Sequence, residues 1–291
     1  MRKGLVTIAM PVRNCEKTVA VAMRSVLNQT FQGWEMLVID DGSTDGTLAE
    51  ARRFQDARVR VFHDGYCKGL PTRLNEAIRL AEGEFYARMD GDDVCYPKRL
   101  ELQLKYLESH PDVDLVGGGV LVFGNGGRVI GRRIPPGSHE EICVRPYSGF
   151  PMAHPLFFGK TFWFQIWQFT PLANGACDQD LLLRSYSSSR FANISEILLG
   201  YREERVVLRK CYEYRRAFCR SLNARRESES PSRRALGIAF HAAKLMVDFV
   251  AVSSGLQHRL LRHRARAVTG ENVSEWRQVW QSANELWLSK T

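Results

Sequence analysis

Three acidic residues lie close together in the sequence and carry the clearest signal for chemistry. Asp90, Asp92 and Asp93 surround a single glycine, directly after an apolar run that ends at Met89. Clustered negative charges repel one another unless a cation lies between them, and hard divalent cations prefer oxygen ligands. Mg²⁺ typically binds one or two carboxylates together with the phosphates of a substrate. The cluster therefore predicts a Mg²⁺ or Mn²⁺ site that holds a diphosphate; the alternative is a solvated acidic turn.

A second acidic pair, Asp40 and Asp41, follows another apolar run. An aspartate at such a position can accept a hydrogen bond from the imide of a base or from a ribose hydroxyl. The same segment also suits an Asx turn in which Ser43 or Thr44 caps the next helix. We expect both, with Asp40 facing the ligand. The glycine patterns of a dinucleotide site and of a P-loop do not follow the first apolar run, which disfavours both kinds of site.

Apolar runs alternate with segments of helical spacing through the first half of the chain. The apolar runs predict strands at 5–10, 35–39, 59–63, 85–89 and 113–123, and the helical segments lie at 17–27, 47–54, 69–81 and 97–109. Strands that alternate with helices of this length indicate an α/β fold with a doubly wound, mostly parallel sheet. Ligands bind beyond the carboxyl ends of such strands. The loops after Met10, Ile39 and Met89 are therefore expected to meet at one site.

Several motifs occur in the order typical of one known family. They are Pro11-Val12-Arg13-Asn14, Ser25-Val26-Leu27-Asn28-Gln29-Thr30, residues 38–45, Leu74-Asn75-Glu76-Ala77, residues 87–93 and Pro97-Lys98-Arg99-Leu100. Across residues 4–202 the sequence resembles the family 2 glycosyltransferases of GT-A fold. The resemblance implies an inverting, metal-dependent transferase that uses a nucleotide-diphosphate sugar as its donor.

The resemblance also implies roles for particular residues. Asp90 and Asp92 match the Asp-x-Asp metal motif, with Asp93 assisting. The residues that it places in the nucleotide site are Pro11, Arg13, Asp40 and Asp41.

Two later motifs extend the resemblance. His154 precedes a proline, like a histidine that lies near the donor phosphates or the acceptor in the family. Asp178 matches the family's catalytic base at the head of a helix, but Cys177 stands where the family has glutamate. Asp180 is a further donor or acceptor candidate, or else a carboxylate that only favours the helix start.

This resemblance leads to a definite functional expectation. Asp178 would take the proton of the acceptor hydroxyl, and the metal would neutralise charge on the departing diphosphate. A UDP-sugar is the favoured donor, with a glycan or lipid-linked acceptor in bacterial cell-surface polysaccharide synthesis. Because Cys177 replaces the glutamate of the family, the alternative function is that of a non-catalytic partner subunit that binds a nucleotide sugar. A nucleotidyltransferase is a weaker alternative, because residues 11–17 lack a glycine-rich triphosphate loop.

Composition limits the class of protein and its partners. The chain has 291 residues, of which 44% are hydrophobic and 25% charged, as in a soluble globular protein. Residues 1–201 contain 23 basic and 23 acidic residues, so a uniformly basic nucleic-acid-binding domain is not expected and no nucleic-acid partner is predicted. The seven cysteines are odd in number and scattered, which favours a reducing, cytoplasmic location. We expect neither a signal peptide nor a membrane-spanning helix.

The last third of the chain differs in charge. Residues 202–291 contain 18 basic and 9 acidic residues, which accounts for the whole net charge of +9. We predict a catalytic domain at 1–205 and a basic helical extension at 206–291, with a linker at 224–234 and a helix at 236–252. His241, Lys244 and Asp248 form the helix's narrow polar stripe, and Trp276, Trp280 and Trp287 follow at helical spacing. Peripheral binding to the cytoplasmic membrane face competes with packing on the catalytic domain or in a homo-oligomer.

Overall fold

One sheet organises the molecule. The computed structural model describes residues 1–225 and 230–285. Within them the strands are β1 (Arg2–Val12), β2 (Trp34–Asp40), β3 (Val59–His63), β4 (Gly83–Arg88), β5 (Val94–Cys95), β6 (Leu115–Phe123), β7 (Val129–Arg133), β8 (Phe158–Lys160) and β9 (Phe191–Arg202). Their order across the sheet is β3-β2-β1-β4-β8-β6-β9-β5, and β7 pairs with β6.

The longest strand pairs are parallel. β1 pairs in parallel with β2 and β4, β2 with β3, and β6 with β9. The pairs formed by β5, β7 and β8 are antiparallel and short. Both β2 and β6 are buried along their full length, as expected for strands covered on both faces. The prediction of a doubly wound, mostly parallel sheet is confirmed.

Helices cover both faces of the sheet. They are α1 (Val19–Leu27), α2 (Thr47–Arg52), α3 (Leu70–Leu80), α4 (Arg99–Ser109), α5 (His139–Ile142), α6 (Thr161–Trp167), α7 (Cys177–Ser185), α8 (Leu208–Ala224), α9 (Pro231–Ser253), α10 (Gln257–Arg264) and α11 (Gly270–Asn284). Alternate residues of β1 face opposite sides: Val6 and Ile8 join one apolar core, and Ala9 joins the other. The all-helical region after β9 confirms the predicted helical C-terminal part, and the domain division at residue 205 stays a prediction.

Two local predictions were wrong. Neither Ser43 nor Thr44 caps α2, which begins at Thr47 after Gly46. The carboxylate of Asp45 instead accepts a hydrogen bond from the Thr47 backbone N–H at 3.0 Å, because it lies two residues before the first helical amide. The linker predicted at 224–234 includes the first turn of α9, which starts at Pro231. Its residues 226–229 lie outside the described residues, as does Trp287.

The final helix, α11, packs tightly on the sheet. The rings of Trp276 and Phe123 lie 4.7 Å apart, and the Trp276 indole N–H donates to the Gly127 carbonyl at 2.7 Å. Gly200 lies beneath this ring, and a Cβ atom there would collide with it. Part of the C-terminal region is therefore integral to the sheet's packing.

Helix α9 packs through its polar side. Asp248 is completely buried and forms ion pairs with Arg215 of α8, at 2.5 Å, and with Arg264 of α10. By length and composition α9 could cross a membrane, and 22% of its most apolar window is buried. From the sequence we expected no membrane-spanning helix, because Lys244 and Asp248 interrupt the apolar run of this segment.

Loss of the buried charge at Asp248 should be costly. Asp248→Asn is expected to lower the free energy of unfolding by about 3 kcal/mol, because it leaves Arg215 and Arg264 without their counter-ion. Urea unfolding followed by circular dichroism measures this change. The matched control, Glu213→Gln, disrupts an exposed ion pair with Arg209 on α8 and should change stability by less than about 0.5 kcal/mol. Equal losses in the two variants would contradict the role of the buried pair.

Candidate active site

The carboxyl ends of β1, β2 and β4 lie side by side in the sheet, as the sequence predicts. Beside them is an open cleft of about 620 Å³. Its lining includes Pro11, Arg13, Asn14, Lys17, Asp45, Asp90, Asp92, Arg202, Glu204 and Lys210. Four of these side chains are cationic, so the cleft combines carboxylates with groups that attract phosphate.

The acidic cluster has the donor set for a divalent cation. Ligand atoms of Asp90, Asp92 and Asp93 all lie within 4.8 Å of one another. Asp92 is exposed, whereas Asp93 is buried and its Oδ2 atom has no hydrogen-bond partner among the described residues. Burial, together with the charges of Asp92 and Asp90, raises the pKa of Asp93 well above its usual range. A hard cation would satisfy the unpartnered oxygen and offset this repulsion, so these residues fit Mg²⁺ or Mn²⁺.

Asp90 differs from its two neighbours because its charge is already paired. Both of its oxygens accept hydrogen bonds from the guanidinium of Arg88, which is buried at the end of β4. Sequence reasoning missed Arg88, although an arginine inside an apolar strand is a recognisable signal. Of the three carboxylates, Asp92 and Asp93 are therefore the more available to a metal.

The loop after β1 is tied to the loop after β2. The Asn14 side-chain oxygen accepts a hydrogen bond from the Thr44 backbone N–H at 2.9 Å, and the Cys15 N–H donates to the Thr47 hydroxyl at 2.7 Å. Asn14 has a positive φ of 49°, which asparagine tolerates better than most residues. These contacts fix the backbone around Arg13, whose exposed side chain lines the cleft.

Asp40 and Asp41 are both held by protein groups. Asp40 is buried, and its carboxylate accepts hydrogen bonds from the Ser43 backbone N–H at 3.1 Å and from His63 Nδ1 at 2.8 Å. Asp41 accepts from the Lys68 backbone N–H at 2.7 Å and from Arg73 Nε at 3.0 Å. Asp40 thus bonds to the backbone three residues on, whereas an Asx turn bonds to the backbone two residues on, and the predicted contact of either carboxylate with a nucleotide stays a prediction.

Asp178 lies in the first turn of α7. Its carboxylate accepts a hydrogen bond from the Gln179 side-chain amide at 3.2 Å, and the Gln179 side-chain oxygen accepts one from the Phe150 N–H at 2.7 Å. Burial raises the pKa of Asp178, which makes it a stronger base, and the charge of Arg88 partly opposes this shift. The same guanidinium also acts on the charges of Asp92 and Asp93. The charge of Arg88 thus acts on both the predicted base and the acidic cluster.

His154 and Cys177 both lie within the electrostatic reach of Arg88. Burial, with the Arg88 charge, lowers the pKa of His154 well below its usual range, so its imidazole is neutral near pH 7. Its Nε2 atom has no partner among the described residues. Burial raises the pKa of the Cys177 thiol, which is therefore neutral and does not replace the charge of a glutamate.

Asp180 has a partner of its own. It is buried and forms an ion pair with Arg184 Nε at 2.9 Å, and Arg184 also donates to the Trp167 carbonyl at 2.6 Å. This arrangement ties α7 to the end of α6, and a role of Asp180 at the donor or acceptor stays a prediction.

Arg202 joins the end of β9 to the acidic cluster, and the sequence did not reveal this link. Its backbone N–H donates to Asp93 Oδ1 at 2.8 Å, and its Nε donates to the Asp92 carbonyl at 2.9 Å. The partners are about 110 residues apart in the chain, so only the fold brings them together. The acidic loop is consequently held from both β4 and β9.

The family model for glycosyl transferase family 2 matches residues 7–166, more than half of the chain. The chain belongs to this family. Curated relatives agree: Bacillus subtilis EpsE is 38% identical over 152 residues, covering 51% of this chain and 54% of EpsE. The Escherichia coli UDP-Glc:alpha-D-GlcNAc-diphosphoundecaprenol beta-1,3-glucosyltransferase WfgD is 33% identical over 132 residues, covering 45% of this chain and 51% of WfgD. The chain thus spans about half the length of these two relatives.

A solved structure supports the fold of this family 2 member. The Pyrobaculum calidifontis mannosyltransferase PcManGT, in complex with GDP-Man and Mn²⁺, superposes with a TM-score of 0.60 at 16% sequence identity. The match covers 98% of this chain and 88% of PcManGT. The resemblance seen in the sequence and the GT-A-type architecture are both confirmed.

Proposed function

We propose that this family 2 member transfers a sugar, with inversion, from a nucleotide-diphosphate sugar to a hydroxyl group of its acceptor. The observation that carries the proposal is the acidic cluster at the end of β4, where Arg88 binds Asp90 and its charge also acts on Asp178. One-step inversion needs a base for the acceptor hydroxyl and a stabilised leaving group. Asp178 is the candidate for the base, and a cation held by the acidic cluster is the candidate for the stabilising group.

Asp178 is the proposed base. Gln179 orients its carboxylate, and burial raises its pKa towards neutral pH, where a general base works most efficiently. The proton of the attacking hydroxyl passes to Asp178. Neutral His154 lies within reach of the Arg88 charge and is proposed as a hydrogen-bonding residue for the donor or acceptor.

The cleft would hold the donor. Arg13, Lys17, Arg202 and Lys210 supply positive charge for a diphosphate, and Pro11 lies in the same lining. Asp40 and Asp41, which are buried at the end of β2 and do not line the cleft, are proposed neighbours of the nucleoside through the family resemblance. Asp92 and Asp93 would hold Mg²⁺ or Mn²⁺, with Asp90 kept in place by Arg88. When bound, that ion would offset the charge that develops on the leaving diphosphate.

The relatives suggest the kind of substrate. The name of WfgD specifies a UDP-glucose donor and a diphosphoundecaprenol-linked acceptor, and PcManGT was solved with GDP-Man. We propose a UDP-sugar donor and a glycan or lipid-linked acceptor, in cytoplasmic synthesis of bacterial cell-surface polysaccharide. All seven cysteines, which lie within the described residues, are free thiols, in keeping with a reducing compartment.

A panel of nucleotide sugars tests this function. We expect a UDP-sugar with Mn²⁺ to raise the melting temperature of the protein, since ligands that bind the native state stabilise it. Release of UDP should then accompany sugar transfer or slow hydrolysis of the donor.

Three outcomes would contradict the proposal. Binding without turnover would favour a partner subunit, the alternative motivated by the neutral thiol of Cys177. Release of pyrophosphate would favour a nucleotidyltransferase. No stabilisation by any nucleotide sugar would contradict a donor site in the cleft.

A further inference from the structure

Helix α9 is amphipathic in the reverse of the usual sense. His241 and Asp248 face the protein: the His241 ring lies 4.6 Å from the ring of Phe218 on α8, and Asp248 is paired with Arg215 and Arg264. Surface helices of soluble proteins normally direct their apolar side inward. Here the polar stripe is used for packing, which leaves the apolar side outward.

The outward side of α9 is broad and apolar. Large side chains on it are about half or more exposed, including Met246 at 62% and Phe249 and Val250 at 54% each. Between residues 235 and 252 the charged residues are Asp248, which is buried on the packed side, and Lys244, which is exposed with its ammonium 4.1 Å from the centre of the Phe240 ring. A contiguous apolar surface of this kind usually marks an interaction site.

Helix α10 extends this surface and adds positive charge. Leu256 and Leu260 line a shallow groove together with Met246, Val247 and Val250 of α9, and Arg259 and His263 border it. Arg259 and Arg262 are exposed, unlike Arg264, which is bound to Asp248. An apolar strip bordered by arginines is complementary to an anionic lipid surface, where acyl chains lie beneath negative head groups.

We propose that the outward faces of α9 and α10 form a docking surface for an anionic membrane, with α9 lying in the plane of the interface. The ion pairs of Asp248 hold one side of α9 against α8 and α10, so a bilayer cannot surround the helix. A symmetric contact between two copies would bring the same basic residues close to one another. The inference rests on these helices alone and is independent of the proposed function.

Vesicle flotation with the full chain tests the apolar surface. Wild-type protein should float with phosphatidylcholine–phosphatidylglycerol vesicles. The double substitution Met246→Glu with Val250→Glu should weaken binding at least about 100-fold, since two exposed apolar side chains that would enter the bilayer are replaced by charges. Phe162→Glu with Ile166→Glu is the matched control, because these residues are also exposed and four apart on α6. Control binding should equal that of wild type.

A second pair of variants tests the basic border. Arg259→Gln with Arg262→Gln should weaken binding to anionic vesicles by roughly 10- to 30-fold at low salt, as each basic residue near such a surface contributes about 1 kcal/mol. Arg52→Gln with Arg79→Gln removes the same charge from exposed positions on α2 and α3 and should have little effect. Binding should also fall as salt rises.

Several results would overturn the proposal. An equal loss of vesicle binding in a variant and its matched control would mean that α9 and α10 do not form the membrane-docking surface. A stable dimer in sedimentation without lipid, dissociated by Met246→Glu with Val250→Glu, would assign the surface to a second copy. If the membrane-bound fraction of the wild-type protein resists alkaline carbonate extraction, α9 spans the membrane. Donor hydrolysis without vesicles is measured in parallel and should be unchanged in all four variants, so failure of the catalytic proposal would be recognised separately.

Discussion

Asp92→Asn should lower sugar transfer by at least about a thousandfold. A Lewis acid at the leaving diphosphate contributes several kcal/mol, and each 1.36 kcal/mol corresponds to a factor of ten in rate. Asparagine keeps the size of the side chain but removes its charge, and the exposed position of Asp92 in the acidic loop means that the fold should remain intact. Steady-state transfer rates measure the loss, and Mn²⁺ binding by electron paramagnetic resonance should weaken in parallel.

A matched substitution separates this effect from a general change in charge. Asp112→Asn also removes one carboxylate, from an exposed ion pair with Arg190. It should leave both transfer and Mn²⁺ binding unchanged. If the Asp92 variant, or the wild-type enzyme treated with a chelator, transfers sugar at the full rate, the metal assignment is wrong.

Asp178→Asn should reduce kcat by about 10²- to 10⁴-fold, the usual contribution of general base catalysis. The two side chains are nearly the same size, but the amide cannot accept the proton of the acceptor hydroxyl. Donor affinity should change little, because the proposed nucleotide site lies in the loops after β1 and β2. Single-turnover rates with saturating donor measure the chemical step directly.

The neighbouring Asp180 provides the control for this second substitution. Asp180→Asn lies in the same turn of α7, but its partner is Arg184 and it is expected to affect stability more than turnover. If the Asp180 variant is slow and the Asp178 variant is active, the base is Asp180 and not Asp178.

The pH dependence of wild-type kcat gives a further check on the base. A base must be deprotonated to work, so activity is lost as the pH falls through its pKa. Because burial raises the pKa of Asp178, this loss should begin at a higher pH than for an ordinary aspartate, whose pKa is about 3.9.

The sequence predicted β1, β2, β3, β4 and β6, whose apolar runs alternate with helical segments, but it did not predict β9, which pairs in parallel with β6. β3 was predicted with its observed bounds, and the acidic loops were correctly expected at neighbouring strand ends. β5, β7 and β8 were also missed; β5 and β8 have only two and three residues, which is too few for a recognisable periodicity. Their pairing depends on distant parts of the chain.

Electrostatic partners were harder to predict than the acidic residues themselves. The motif around Asp90 and Asp92 identifies the cluster, but the contact between Arg202 and Asp93 exists only because β9 ends beside it. In the same way, the narrow polar stripe of α9 predicted a helix that is largely covered, but the structure buries most of the stripe itself and exposes the apolar side. Only the structure identifies the covering residue as Arg215, with α8 on the inner side and the apolar face outward.

The close contact between Trp276 and Gly200 restricts which substitutions these two positions can accept during evolution. Any side chain at residue 200 would require the space that the indole ring occupies, and Gly127 lies similarly close to Trp280. A change at one member of such a pair is therefore tolerated only with a compensating change at the other. In an alignment of close homologues, a larger residue at position 200 should appear together with a smaller one at position 276, and the two columns should covary although they are far apart in the sequence.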